Sequence, residues 1–376
     1  MAGQVFSSEQ SCFFDLIKMK SAGSVIRIIK KSKIAAQYYF KIDSICDTND
    51  AMKLLILTNN PNRASYRQRI GNYLDIFKAA GIEPTVRVLS RYLPGRIMQY
   101  RQADRHDVVI LHKKCLNSID ALFFSPPRAK VIFNYDDAIM FNDRGQETKT
   151  HQKRFQRSLQ KAGKVLVGSS YLADRARPYH SDIVILPLGL NTADYSPETP
   201  KSADGKLRLV WIGSAATVDY IRQLTPVLQK LAARYSNLVL RLIGDEFIEM
   251  EGVAIEKVRW QADTRARALA ECDIGLAPLP DTPFTRGKCS FKVLEYSASG
   301  LPVIASPVGT NTDHIQQGQT GFLAVSPDQW LEKISMLIEN PARRNEMGQK
   351  GVLFAKHFDR AVVGKKLCEI IQQMVR

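Results

Sequence analysis

Lys288, Lys292 and Glu295 stand at i, i+4 and i+7, a spacing that puts all three on one face if an α-helix reaches back as far as residue 288. The chemistry open to such a face is recognition of a phosphorylated ligand. A helix N-terminus attracts anions through its free N–H groups and its dipole. Two lysines beside it make a diphosphate site. A carboxylate one or two turns deeper accepts hydrogen bonds from sugar hydroxyls, such as a ribose diol. A solvated Lys–Glu surface face is the plainer reading of the same trio. Phe291, Leu294 and Ala298 form a second face that should pack on a sheet.

The elements that must hold this face are legible on either side of it. From Lys53 the sequence reads strand, loop, helix, repeatedly. KLLILT (53–58) is the short apolar run of a strand buried on both faces. After a polar loop, Ile70, Tyr73, Leu74 and Phe77 recur at helical spacing and Gly81 closes the helix. Further strands are expected at 84–89, 107–112, 130–135, 164–169 and 182–188. A Pro-, Ser-, Asp- and Gly-rich linker, 188–206, follows. The pattern restarts at 207–214 and continues at 238–244, 253–260, 273–279 and 302–306, with Leu224, Leu228 and Leu231 marking a helix. Such alternation implies an α/β chain of two doubly wound, Rossmann-like domains with parallel sheets. Ligands would bind at the carboxyl ends of the strands, beside the crevice between the domains.

Charge divides the chain unevenly. Its 376 residues hold 53 Lys+Arg against 37 Asp+Glu, a net +16. Residues 52–190 carry 23 basic and 11 acidic side chains, whereas 191–376 carry 23 and 21. Segregation of this kind points to a polyanionic partner: nucleic acid, an anionic membrane face or a phosphorylated substrate. Solubility alone is the alternative. The six cysteines show no CxxC pair and no metal spacing, which argues against a disulfide framework or a zinc site and fits a reducing cytoplasm. No apolar run approaches the ~20 residues of a membrane span, and no signal sequence opens the chain. The expected location is cytoplasmic, peripheral on the cytoplasmic membrane face.

Residues 1–51 read as an N-terminal extension. Lys18 to Lys41 holds seven basic residues and no acid, mixed with Val25, Ile26, Ile28, Ile29, Ile34 and Tyr39. A basic amphipathic helix on an anionic membrane has this composition. Translation from Met52, just before the first strand, would leave the segment outside the native protein, and a packed helical extension is a third reading.

The segment GKCSFKVLEYSASGLPVIASPVGTNTDHIQQGQTGFL (287–323) resembles the donor-site signature of glycosyltransferase family 4, retaining enzymes of the GT-B fold that use activated sugar nucleotides. Weaker matches at 65–74, 130–138, 167–173, 185–197, 209–214 and 272–281 extend the resemblance over most of residues 53–376. It implies an acceptor-side domain at 52–190, a donor domain at 191–358, and a C-terminal helix at 359–376 crossing back to the first domain. Val362, Val363, Leu367, Ile370 and Ile371 have the spacing for that helix.

Carried over by position, the resemblance makes Glu295 the second carboxylate of the family's Glu-x7-Glu motif, which holds the nucleotide ribose. Gly287 stands where the first carboxylate should be. Lys288 and Lys292 would meet the diphosphate. Gly213 and Ser214 match the strand-end turn that lets phosphate approach backbone, and the basic residue that often follows this turn is absent. Ser290 and Phe291 complete the expected donor-binding set with Gly287. The resemblance further implies transfer with retention by front-face displacement, no bound divalent metal and no other cofactor. Trp211 and Trp260 are expected in core or domain packing.

On the acceptor side, Arg67 and Arg69 open a helix after the first strand, and His112, Asp136 and Asp137 end strands on the crevice side. These are candidate contacts to an anionic acceptor, with a solvated first turn, helix capping and a structural histidine as alternatives. The function so implied is transfer of a sugar from a UDP- or GDP-sugar to a lipid-linked or saccharide acceptor at an anionic membrane, in cell-surface polysaccharide or glycolipid synthesis. A non-catalytic nucleic-acid or membrane binding module on a degenerate GT-B scaffold is the competing reading. Nucleic acid is disfavoured because residues 52–190 contain no recognised nucleic-acid motif. A dehydrogenase is disfavoured because no GxGxxG follows either first strand.

Overall fold

The computed structural model describes residues 51–127, 130–142, 144–195 and 204–375. The expectations for the N-terminal extension, and part of the linker, lie outside the described residues. The strands form two parallel six-stranded sheets. The first contains β1 (Met52–Thr58), β2 (Ile82–Val88), β3 (Val108–His112), β4 (Val131–Tyr135), β5 (Lys164–Val167) and β6 (Ile183–Ile185), in the order β2-β1-β3-β4-β5-β6. The second contains β7 (Leu207–Ile212), β8 (Leu238–Gly244), β9 (Ile255–Arg259), β10 (Ile274–Ala277), β11 (Val303–Ala305) and β12 (Gly321–Leu323), in the order β12-β11-β10-β7-β8-β9.

Continuous apolar runs make these strands because both faces of each sheet are covered. Along β1, Leu55 and Leu57 enter one core while Leu54 and Ile56 enter the core on the opposite face. Along β7, Leu209 and Trp211 separate in the same way from Val210 and Ile212. The period of two in side-chain direction thus builds four cores from two sheets. Strand ends differ from expectation by a few residues, and β12 was not anticipated because three residues carry too little pattern.

The order reverses between β1 and β3 in the first sheet and between β7 and β10 in the second. Loops leaving adjacent strands at such a point diverge and open a crevice at their carboxyl ends. The expected single helix after β1 is divided. Ala64–Arg69 and Leu74–Ala79 are separate helices joined by a 3₁₀ turn at Gly71–Tyr73, and Gly81 at φ 75° ends the second.

The last helix, Arg360–Gln372, lies on the first sheet's side of the molecule. Its Val363, Leu367 and Ile371 share a core with Tyr73, Phe77 and Ile110. The helix approaches closely at Gly364, where a Cβ would come within 2.7 Å of Ile76 Cδ1. Arg360 Nε donates to Asn72 O at 2.8 Å, and its guanidinium pairs with Asp75. Val362 is exposed.

Candidate functional site

A cavity of about 880 Å³ lies between the two sheets' carboxyl ends. One wall comes from the loop and helix after β1, including Asn62 and Arg67; the other comes from the turn after β7, the loop after β10 and the helix Phe291–Ala298. Of the residues singled out in the sequence, Arg67, Gly213, Ser214, Lys288, Ser290, Phe291, Lys292 and Glu295 line it.

Glu295 is buried on the second turn of the Phe291–Ala298 helix. Tyr195 Oη donates to its Oε1 at 2.9 Å, and Arg265 Nε approaches the same oxygen at 3.3 Å. Arg265 is itself held by Asp194, Nη2 to Oδ2 3.2 Å. Both bonds fall on one oxygen, so the other is the one available to a ligand hydroxyl. Burial raises the carboxyl's pKa, and Arg265 and the Tyr195 hydroxyl oppose that rise. Tyr195 and Arg265 escaped the sequence reading because they sit in the linker and on a separate helix.

Lys292 lies one turn earlier, partly buried, with Nζ 4.4 Å from the Trp211 ring centroid. Burial pushes its ammonium down to about 7, against the pull of Glu295. The aromatic face offsets part of the desolvation. Trp211 is fully buried, as expected, and it explains the glycine after β7: a Cβ on Gly213 would lie 2.4 Å from the indole. The turn beyond is pinned by Ser214 N donating to Thr217 Oγ1 at 3.3 Å.

The helix does not reach back to Lys288. It begins at Phe291, and Ser290 before it adopts the left-handed region at φ 38°, ψ 45° without capping the helix. Lys288 therefore reaches the cavity from an extended segment rather than from the face it was expected to share. Its Nζ lies 4.8 Å from the Phe284 ring centroid and 3.3 Å from Asp137 Oδ1. Trp260 is also differently placed: it lines the cavity, and Arg67 stacks on it with Cζ 5.2 Å from the ring centroid.

Four further expectations need correction. Gly287 does not line the cavity; it is buried, and a Cβ there would meet Ala138 Cβ at 2.7 Å and Leu172 Cδ2 at 3.2 Å. Arg69 is buried under the cavity wall rather than facing the crevice. Its Nε donates to Asn134 Oδ1 at 2.9 Å and its Nη1 to Leu186 O. His112 is buried edge-on to Tyr66, and burial lowers it to about 4, so it is neutral near pH 7. Asp136 is buried too, accepting from Ser65 Oγ at 2.5 Å and pairing with Lys113 Nζ at 3.2 Å. Asp137 remains partly exposed, between Lys113 Nζ at 2.5 Å and Lys288. Inside the domain Lys113 and Asp136 offset one another's charge, while Arg69 is met by the neutral oxygens of Asn134 and Leu186.

Residues 206–340 match the family model described as glycosyl transferases group 1. The matched segment holds Gly213, Lys292 and Glu295, and so most of the wall opposite Arg67. A D-inositol 3-phosphate glycosyltransferase of Corynebacterium glutamicum is 31% identical over 84 residues, 22% of this chain and 20% of that protein. The match therefore spans about a fifth of that relative's length.

Solved structures of the same architecture accompany it. Sucrose-phosphate synthase of Thermosynechococcus elongatus superposes with a TM-score of 0.66 at 13% identity, over 86% of this chain and 99% of that one. HepE of Anabaena, solved with UDP-glucose, gives 0.65 at 13% over 86% and 100%. WaaG, a glycosyltransferase of lipopolysaccharide biosynthesis, gives 0.59 at 14% over 85% and 99%. At these identities the likeness establishes the fold, which is GT-B.

Proposed function

We propose that this protein is a group 1 glycosyltransferase that moves a sugar from a UDP- or GDP-sugar to a lipid-linked or saccharide acceptor, with retention of configuration, at the cytoplasmic face of an anionic membrane. The observation that carries the reading is the arrangement of Glu295, Lys292 and the Gly213 turn around one cavity at a topological switch point. Its volume suits a nucleotide sugar.

In this reading the free oxygen of Glu295 accepts from the ribose hydroxyls. Arg265 and Tyr195 hold the carboxylate in place, so little ordering cost remains at binding. The diphosphate lies between the Gly213–Ser214 turn and the uncapped start of the Phe291–Ala298 helix, with Lys292 and Lys288 beside it. As the bond from sugar to diphosphate breaks, negative charge grows on the leaving phosphate. Preorganised donors there stabilise the transition state more than the ground state, by about 3–4 kcal/mol for a well-placed group. The leaving phosphate takes the acceptor's proton on the same face of the sugar, which preserves configuration. No cofactor or metal enters this scheme. Trp260, with Arg67 stacked on it, offers a flat face for the nucleobase.

HepE, solved with UDP-glucose, and WaaG, a glycosyltransferase of lipopolysaccharide biosynthesis, support the same reading. Among the described residues no helix is long and apolar enough to cross a membrane, so the proposed membrane contact is peripheral.

The test is turnover of a panel of UDP-, GDP- and ADP-sugars with a lipid-linked acceptor extract, read by mass. Transfer of one sugar with retained anomeric configuration supports the proposal. Membrane or nucleic-acid binding without any nucleotide-sugar binding would favour the non-catalytic module instead.

A further inference from the structure

We propose that the outer face of two neighbouring helices, Leu93–Arg101 and Ser118–Phe123, is the surface by which the protein docks on an anionic lipid bilayer. The proposal deepens the preceding reading, since it rests on an acceptor presented at a membrane.

The two helices lie side by side on one face of the first sheet. Tyr100 and Phe124 meet edge to face at 5.2 Å within the core that also holds Leu89 and Leu116. Arg96 Nε and Asp120 Oδ1 join the helices at 2.7 Å. Large apolar side chains stand among the exposed residues outside. Tyr92 is 79% exposed, Met98 70% and Leu122 72%. Ile119, Leu122 and Phe123, all exposed, stand at i, i+3 and i+4. The Ser118–Phe123 helix is thus inverted: its one acid, Asp120, is buried and paired with Arg96 and Lys114, while its apolar stripe faces water. A lone exposed leucine needs no explanation, but five large apolar side chains exposed on and beside two adjoining helices do.

The charge around this face selects the occupant. Between residues 87 and 123 the exposed charged side chains are Arg87, Arg91, Arg101 and Arg105, against Asp104. A second copy docked by the same face would bring these arginines together across the two-fold axis. A nucleic acid would pair with the arginines but leave Met98 and Leu122 without apolar partners. An anionic bilayer satisfies both, with headgroup phosphates for the arginines and acyl chains for the apolar stripe. Tyr92 has the amphipathic ring suited to the boundary between them.

Position supports the same partner. Both helices follow the carboxyl ends of their strands, β2 and β3, and so start at the crevice end of the sheet. The Lys113–Asp137–Lys288 ion pairs lie at that end. A phosphate-bearing lipid could present its head group to the crevice with its chains still in the bilayer.

The experiment is flotation of the full-length protein with vesicles of phosphatidylcholine alone and of phosphatidylcholine with phosphatidylglycerol. Three forms are compared: the wild type, Met98→Asp/Leu122→Asp, and Arg91→Glu/Arg101→Glu. All four positions avoid the cavity, and thermal unfolding checks the fold of each variant. The wild type should bind the anionic vesicles in a salt-sensitive way. Each double variant should bind them roughly tenfold more weakly or worse. Binding equal to wild type in both variants overturns the proposal, because residues 1–51 are unchanged and would then carry the affinity. A dimer that dissociates in Met98→Asp/Leu122→Asp, without loss of vesicle binding, overturns it as well. Donor binding is measured in parallel. Its absence from the wild type would remove the transferase reading, whereas vesicle binding alone decides this one.

Discussion

Lys288 and Asp137 meet across the boundary between the two sheets, Nζ to Oδ1 at 3.3 Å. The lysine follows the 3₁₀ turn Thr285–Gly287 and lines the cavity; the aspartate follows β4 and is held by Lys113. A phosphate placed in the cavity therefore competes with Asp137 for the same ammonium.

Removing that competition should strengthen donor binding. Asp137→Asn leaves Lys113 paired with Asp136 and frees Lys288. The pair is partly exposed, so about 0–1 kcal/mol is at stake. The nucleoside diphosphate should bind up to about fivefold more tightly by calorimetry. Weaker binding would mean that Asp137 positions Lys288 instead of withholding it.

Restoring a glutamate at position 287 should not restore the family's first carboxylate contact. Its Cβ would press against Ala138 and Leu172 of the opposite domain. Gly287→Glu is expected to lower stability by about 1–3 kcal/mol through overpacking, seen as a lower Tm, with no gain in donor turnover. A stable variant with faster turnover would show that the domains part at this point during catalysis.

Lys292 gives the donor site a pH dependence near neutrality. Its free-state pKa of about 7 means that the ammonium is largely neutral above that pH. A bound diphosphate favours the charged form and raises the pKa. Binding between pH 7 and 9 should therefore take up a proton, and affinity should fall as pH rises. Calorimetry in buffers of different ionisation enthalpy reads the proton directly. Lys292→Met should abolish both the uptake and the slope. In the folded protein alone, this depressed pKa makes stability rise with pH from about 7 towards the ordinary lysine value.

The last helix ties the C-terminal segment to the first sheet. Leu367 is fully buried with Tyr73 and Phe77. Leu367→Ala should cost about 2–5 kcal/mol, measured by urea unfolding, and activity should fall with it where the protein unfolds. Unchanged stability would mean that this helix packs elsewhere in solution.

Local pattern explains what the sequence made legible. Lys292 and Glu295 were found because a helical repeat and a strand-end glycine are short-range signals, and the alternation of apolar runs was enough for two parallel sheets. Side chains whose surroundings come from distant segments were not legible. Arg69 and Asp136 end up inside because distant segments supply their partners, Asn134 and Leu186 for the one and Ser65 and Lys113 for the other, and His112 is buried in its neutral form. Tyr195 and Arg265 reach Glu295 from separate elements. Trp260, an aromatic after a strand, has the same sequence signature whether it fills a core or walls a cavity. The exclusion of a side chain at Gly287 originates in the opposite domain and leaves no local trace.

The central claim is that Glu295 and Lys292 hold one nucleotide sugar. It is tested most directly by titrating the preferred nucleotide sugar and its bare nucleoside diphosphate into wild type, Glu295→Ala and Lys292→Ala, with folding checked for each. Glu295→Ala should weaken both ligands by roughly tenfold or more, through the lost ribose contact. Lys292→Ala should weaken both and slow transfer by more than it weakens binding. Equal affinity and turnover in all three proteins would contradict the account.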